Sequence, residues 1–215
     1  MPAHEATASP SPPEKPFSPA CERNRAPILA VLREHLPAAG TVLEIGCGTG
    51  QHAVHFGSAL PRLVWQPSEL PKNLEGIQLW LDEAHLPNVL PPVALDVNDA
   101  HWPVEPVDAI FNANTVHIIS WPEIERLFAH IAAVIEPGGS VCCYGPYNYD
   151  GKFTSESNER FDAWLKSRDP DSGVRDFEAI NALAASHGLE LLRDIAMPSN
   201  NRILVWEARS GQVET

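Results

Sequence analysis

Glu44, Gly46, Gly48 and Gly50 stand at alternate positions in the run "VLEIGCGTGQH". Glycine lets a main chain approach a ligand closely and take positive φ. A helix starting just beyond offers unpaired N–H groups to a carboxylate or phosphate. The dinucleotide fingerprint G-x-G-x-x-G is not met, because its last position falls on Gln51 and the run reads E-x-G-x-G-x-G. A glutamate leading the loop repels a pyrophosphate and suits a ligand that carries an ammonium and a sulfonium. That combination points to S-adenosylmethionine, with Gly46, Cys47, Gly48 and Gly50 as its cradle. Further along, Ser68-Glu69 offers a polar pair for ribose hydroxyls, the role an acid plays in dinucleotide sites. Asp96 can accept from an adenine amino group, with the Val97 N–H beside it. Three acids at successive strand tips beside one glycine loop form a stronger signal than any one alone.

Methyl transfer is an in-line displacement that requires a nucleophile held about 3–3.5 Å from the methyl carbon in a dry pocket. In "NANTVHIISW", Asn112 and Ala113 are expected beneath the cofactor, with Asn114 near its methionine end. His117 is the candidate general base, the alternative being a histidine that shapes the loop. All three tyrosines lie in "YGPYNY", where Gly145-Pro146 forces a turn that can hold Tyr144 and Tyr147 rigidly. A tyrosine pairs an apolar face with a polar tip. Tyr144 and Tyr147 are therefore read as catalytic and, with Pro146, as substrate-binding; packing on the next helix is the alternative. Asn200-Asn201 read as the turn in "MPSNNRIL" between the last two strands, with Asn201 a candidate substrate-binding residue. Lys152, Ser155, Ser157 and Asn158 add hydrogen-bonding groups, although Asn158 is equally a helix cap. Asp162, Arg168, Arg175 and Asp176 are expected to form ion pairs that pin an inserted helix. In "ERN", Arg23 or Asn24 can reach the cofactor carboxylate, with Glu22 as a charge partner at a helix start. His101 and Trp102 are either an adenine-side wall or a surface loop. His52 and His55, three apart on a helix, are read as hydrogen-bonding groups rather than metal ligands, and no metal is expected.

These residues need a frame that brings strand ends together. From Thr41 the chain alternates strand and helix signals: "TVLEIG", "LVWQPS", "VLPPVALDV", "VDAIFNAN" and "SVCCYG" read as strands 1 to 5, separated by amphipathic segments. A first helix over "CERNRAPILAVLREHL" precedes them. A helix over "WPEIERLFAHIAAVI" is stopped by Pro137-Gly138-Gly139. Two helices and a closing hairpin, "LELLRDIAMPSNNRILVWEA", follow. Alternating β and α units predict a mostly parallel sheet covered by helices on both faces. Residues 1–20, with six prolines, read as a flexible arm and 21–215 as one domain.

With 15 Lys and Arg against 28 Asp and Glu, the net charge is −13, and no basic block offsets it. Phosphate neutralisation supplies most nonspecific nucleic-acid affinity, so nucleic acid and anionic membrane surfaces are disfavoured and a small-molecule partner is favoured. No window approaches a membrane span, and the start lacks the apolar core of a signal peptide. Cys21, Cys47, Cys142 and Cys143 have no C-x-x-C spacing. Adjacent Cys142 and Cys143 on a strand point to opposite faces. Reduced thiols and a cytoplasmic location are expected. Oligomeric state is not readable.

The strings "VLEIGCGTG", "LDV", "DAIFNANTVHII" and "IEPGGS" resemble the successive motifs of class I S-adenosylmethionine-dependent methyltransferases. A wider set, "ERNRAPIL", "GQHAVHF", "WQPSE", "YGPYNYDGKFTSESNERFD" and "MPSNNRILVW", is similar to the methyltransferase-like 26 family, long catalogued as a domain of unknown function. The resemblance runs from about Cys21 to Trp206. It implies an α/β, Rossmann-like, seven-stranded sheet with its last strand antiparallel and a bound S-adenosylmethionine, but names no acceptor. Many class I enzymes carry the second acid directly at the strand tip, where this chain has Ser68, so the ribose contact is open between Ser68 and Glu69. The expected activity is methyl transfer to a small molecule. The alternatives are a noncatalytic S-adenosylmethionine-binding sensor or partner subunit, a protein methyltransferase and, disfavoured by Gln51 and Glu44, an NAD-dependent oxidoreductase.

Overall fold

A computed structural model describes residues 15–209. Residues 1–14 of the expected arm lie outside the described residues, and the expected domain boundary at residue 20 falls inside the first helix. Seven strands form the main sheet: β1 (Gly40–Ile45), β2 (Leu63–Glu69), β3 (Val93–Ala94), β4 (Val107–Ala113), β5 (Ile135–Gly145), β8 (Leu189–Met197) and β9 (Asn201–Ala208). Their order is β3-β2-β1-β4-β5-β9-β8. The first five are mutually parallel, and β9 runs antiparallel between β5 and β8. This is the predicted α/β architecture, its last strand antiparallel. A separate two-stranded pair joins β6 (Tyr147–Asn148) to β7 (Arg175–Asp176).

Strands buried on both faces read as continuous apolar runs, and adjacent residues serve opposite layers. On one face α1 (Pro19–His35) and α2 (Gln51–Ala59) cover the sheet, with Ile28, Leu32 and Phe56 packed against Trp65, Phe111 and Cys142. On the other, α4 (Trp121–Val134) and α6 (Phe177–Ser186) cover it, with Ile124, Phe128 and Ile180 packed against Ile110, Cys143 and Trp206. Cys142 and Cys143 thus divide between the layers as expected, and all four cysteines are free thiols. A smaller cluster of Cys47, Ile77 and Leu81 seats α3 (Leu74–Ala84) beside the glycine loop. Ser120 and Glu123 close a reciprocal capping box at the start of α4, which satisfies two otherwise unpaired N–H groups. β5 begins at Ile135 rather than at Ser140 as predicted, because the chain pairs straight out of α4 and absorbs the glycines in an irregular register opposite Val107 and Ala109.

Parallel register sets where the site can be. Ile45 lies opposite both Ser68 and Asn112, Ser68 opposite Val93, and Ala113 opposite Tyr144. The carboxyl ends of β1, β2, β4 and β5 are therefore nearly level, as an open α/β sheet requires for a ligand crossing its strand tips. No helix among the described residues is long and apolar enough to cross a membrane.

Candidate active site

Two cavities open along these strand ends. The first, of about 790 Å³, is lined by Gly46, Cys47 and Gly48, by Glu69, by Asp96, Val97 and Asn98, and by Ala113 and Asn114. The second, of about 320 Å³, is lined by Arg23, Asn24, Asn114, Tyr144, Pro146, Phe161 and Asn201, among others. Asn114 and Ala20 line both.

The glycine loop forms the floor of the first cavity. Gly48 has φ +59°, and a Cβ built on it would meet no protein atom within 4 Å, so any side chain there would project into open space. Its N–H donates to Glu69 Oε2 at 2.8 Å, while Glu69 Oε1 accepts from the Leu70 N–H at 2.9 Å and from Asn73 Nδ2 at 3.2 Å. Gly50, φ +86°, caps the start of α2 in the left-handed conformation and lies outside the lining. Asp96 Oδ1 accepts from the Asn98 N–H, and Trp102 donates to the Asp96 carbonyl while stacking on His130, which holds this strand end. Trp102 is buried and supports the wall from behind. Residues 15–18 border the opening: Pro16 and Ser18 line it, the Pro16 carbonyl accepts from Trp80 Nε1 at 2.7 Å, and Lys15 pairs with Glu83.

Several predicted residues lie elsewhere. Ser68 is fully buried and its hydroxyl donates to the Glu44 carbonyl at 2.8 Å, so of the pair only Glu69 lines the cavity. Side chains alternate along a strand, and only one of two neighbours can face the ligand. Asn112 is likewise buried, its amide donating to Cys143 Sγ. Glu44 lies beneath the loop at 2% exposure, accepting from Trp65 Nε1 at 2.7 Å, and burial raises its pKa to about 8. His117, the expected base, lines neither cavity. It is buried with its ring edge-on to Phe161, and burial followed by the charge of Arg175 lowers its pKa to about 4. Tyr147, at 2% exposure, belongs to the core on the α4 side, because β6 pairs with β7 and draws it under the sheet. Tyr149 is stacked on Phe177 and donates to Asp194 Oδ2. Only Tyr144 of the three lines the second cavity.

Arg23 and Asn24, expected to reach into the cofactor site, line the second cavity instead. Asn24 joins a buried polar chain between the two. Glu44 Oε1 lies 4.0 Å from His52 Nδ1, His52 Nε2 meets Asn24 Oδ1 at 2.7 Å, and Asn24 lines the second cavity together with Tyr144. An amide oxygen only accepts, so Nε2 carries the His52 proton. Burial, then the charges of His55 and Arg25, lowers the His52 pKa to about 4, so the ring is neutral. His52 also lines the first cavity, a role that sequence reasoning missed. Its spacing from His55 had suggested only hydrogen bonding or a metal. Among the described residues no group of three or more His, Cys, Asp or Glu side chains is placed to hold a metal.

The inserted helix α5 (Glu156–Arg168) is capped by Ser155, which accepts from the Asn158 N–H, and not by Asn158. The Asn158 amide instead bonds Thr154 Oγ1 and the Asn200 carbonyl, tying the helix to the turn before β9. The expected ion pairs among Asp162, Arg168, Arg175 and Asp176 do not form. Asp162 pairs with Lys166, one helical turn away, and accepts from the Val174 N–H. Arg168 lies over Trp164, and Arg175 donates to the Ile119 and Asp171 carbonyls.

Solved structures share this architecture. An O-methyltransferase family protein from Burkholderia thailandensis matches with a TM-score of 0.78 at 19% identity over 90% of this chain and 58% of that one. An O-methyltransferase family 2 protein from Planctomyces limnophilus, in complex with apigenin, matches at 0.74 and 16% identity over 87% of this chain and 59% of that one. Human N-acetylserotonin methyltransferase, in complex with SAM, matches at 0.74 and 13% identity over 89% and 53%. The chain thus spans less than two thirds of the length of these neighbours, and the likeness shows the fold. The sequence model of one family matches residues 15–208, and the chain belongs to that family, described as protein of unknown function (DUF938).

Proposed function

We propose that this chain is an S-adenosylmethionine-dependent methyltransferase acting on a small molecule, and that it stands with the methyltransferase-like 26 family through the motif strings quoted above. The observation that carries the reading is the meeting of two cavities at Ala20 and Asn114, one floored by a glycine loop with acids at successive strand tips. Volumes of about 790 and 320 Å³ fall within the ~300–1,000 Å³ range of small-molecule sites. When bound, S-adenosylmethionine supplies an electrophilic methyl on a sulfonium. The residues suit it: Gly48 leaves room for close approach, Glu69 offers a carboxylate to ribose hydroxyls, and Asp96 with Val97 offers an edge to adenine. Asn114, held at φ +59° with its N–H donating to the Tyr144 carbonyl, stands at the passage between the cavities. Phe161 and Pro146 give the second cavity apolar walls beside its polar groups. An open second cavity also favours an enzyme over a binding-only protein, in which that space would be filled.

Isothermal titration with S-adenosylhomocysteine tests the cofactor half, and a radiolabelled methyl-transfer screen over small acids, phenols and thiols tests the acceptor half. One-to-one binding with a methylated product is the expected outcome. Binding without any product across the screen would favour the sensor reading, and no binding would overturn both.

A further inference from the structure

We propose that the second cavity is built for a small organic anion that arrives already ionised. The inference rests on the methyltransferase reading and names the acceptor class for that site. The chemistry of the walls carries it. The polar side chains include Arg23, Asn24, Asn114, Tyr144, Asn158 and Asn201, and among the described residues no aspartate, glutamate or histidine contributes to the lining. In a chain with 28 acidic and 15 basic residues, a cavity whose one charged group among the described residues is a guanidinium reverses the prevailing sign.

That guanidinium is available. Among the described residues Arg23 has no carboxylate partner, and the acid beside it, Glu22, is already engaged by Arg25 at 2.8 Å and by Gln51 Nε2 at 2.8 Å. Arg23 is close enough to Tyr144 for its charge to act on the phenol. The Tyr144 hydroxyl, which lines the same cavity, can donate its proton to an anion. A planar guanidinium beside a phenol and amide groups suits a carboxylate, which accepts in two directions at once. His117 is buried edge-on to Phe161, and His52, bonded to Asn24, reaches the first cavity; neither lines the second.

With no carboxylate or imidazole among its described lining residues, the cavity suits an acceptor whose reacting atom is already ionised. The anionic atom of the acceptor attacks the methyl carbon, and the new bond forms as the methyl–sulfur bond breaks. The electron pair of the broken bond stays on sulfur, and no proton changes hands.

The test uses the full chain saturated with S-adenosylhomocysteine and three matched probe pairs: acetate and acetamide, benzoate and benzamide, phenylacetate and phenylacetamide. Binding is read by calorimetry. At least one carboxylate is expected to bind tenfold or more tightly than its amide. Arg23→Glu is expected to remove that preference while S-adenosylhomocysteine affinity stays within about twofold. Arg23→Ala serves as the milder variant should Arg23→Glu disturb folding. Equal binding within every pair, or a preference that survives both variants, would overturn the inference alone. Failure of S-adenosylhomocysteine to bind would overturn the methyltransferase reading and this inference with it.

Discussion

The two cavities are built from different materials. The first is made of main chain and strand-tip acids, set by one short loop and by parallel register. The second is made of side chains from α1, the tips of β4 and β5, α5 and the turn before β9, which are far apart in sequence and meet only in the folded chain. A backbone-built site tolerates few changes at its glycines and many elsewhere. A side-chain-built site changes its selectivity residue by residue while the frame stands. The same fold can therefore keep one ligand and vary the other.

The sharpest way to break the contrast is Gly48→Val. A β-branched residue at φ +59° is strained, and its methyls would fill the space above the loop. Loss of S-adenosylhomocysteine affinity by at least about a hundredfold is expected, roughly 2.7 kcal/mol or more, with the circular-dichroism spectrum retained. Glu69→Ala comes next. It removes the acceptor for two N–H groups and one amide, and charge-assisted hydrogen bonds contribute about 1.5–3 kcal/mol each. A loss of roughly 10- to 100-fold in calorimetric affinity is expected.

Tyrosines sharpen the other side. Tyr144→Phe should leave S-adenosylhomocysteine affinity within about twofold and lower turnover of any acceptor roughly tenfold, since it removes a hydroxyl from the wall of the second cavity. Tyr147→Phe should alter neither, whereas Tyr147→Ala should cost about 3–5 kcal/mol in denaturant unfolding by emptying a core position. If Tyr147→Phe impairs turnover as much as Tyr144→Phe does, the division between the cavity and core tyrosines fails.

The smallest expected effect is on pH dependence. Glu44 is raised from 4.5 to about 8 in the folded chain. The folded state then holds its proton more tightly than the unfolded one, and stability falls as pH rises from about 4.5 to about 8. His52 and His117 are lowered from 6.5 to about 4, so their contribution is present above 6.5 and is lost as pH falls toward 4. Melting temperatures measured from pH 4 to 9 should fall on both sides of a maximum. Glu44→Gln, which keeps an acceptor for Trp65, should flatten the alkaline side and steepen the rise between about pH 4.5 and 6.5.

Much of the frame was legible because its signals are local: apolar runs of strand length, glycines after a strand and a Pro-Gly-Gly stop. The first cavity was legible for the same reason, since Gly46, Cys47, Gly48, Asp96 and Val97 follow directly from strand ends. Choosing Glu69 over Ser68 needed the facing of β2, which two adjacent polar letters do not disclose. Separating Tyr144 from Tyr147 needed the pairing of β6 with Arg175–Asp176, a contact nearly thirty residues away. Arg23 and Phe161 join one cavity from elements more than a hundred residues apart, and no local pattern records such a meeting. Glu44 shows the limit of motif logic. Its place in the loop was legible, but its burial against Trp65 depends on α2 covering that face of the sheet.

The most direct test of the two-cavity account is hydrogen–deuterium exchange of the full chain with and without S-adenosylhomocysteine. Protection is expected at residues 46–50, 69–73 and 95–98, with residues 157–161 and 198–201 largely unchanged. Absence of protection at the glycine loop, or protection centred on residues 157–161 and 198–201, would contradict it.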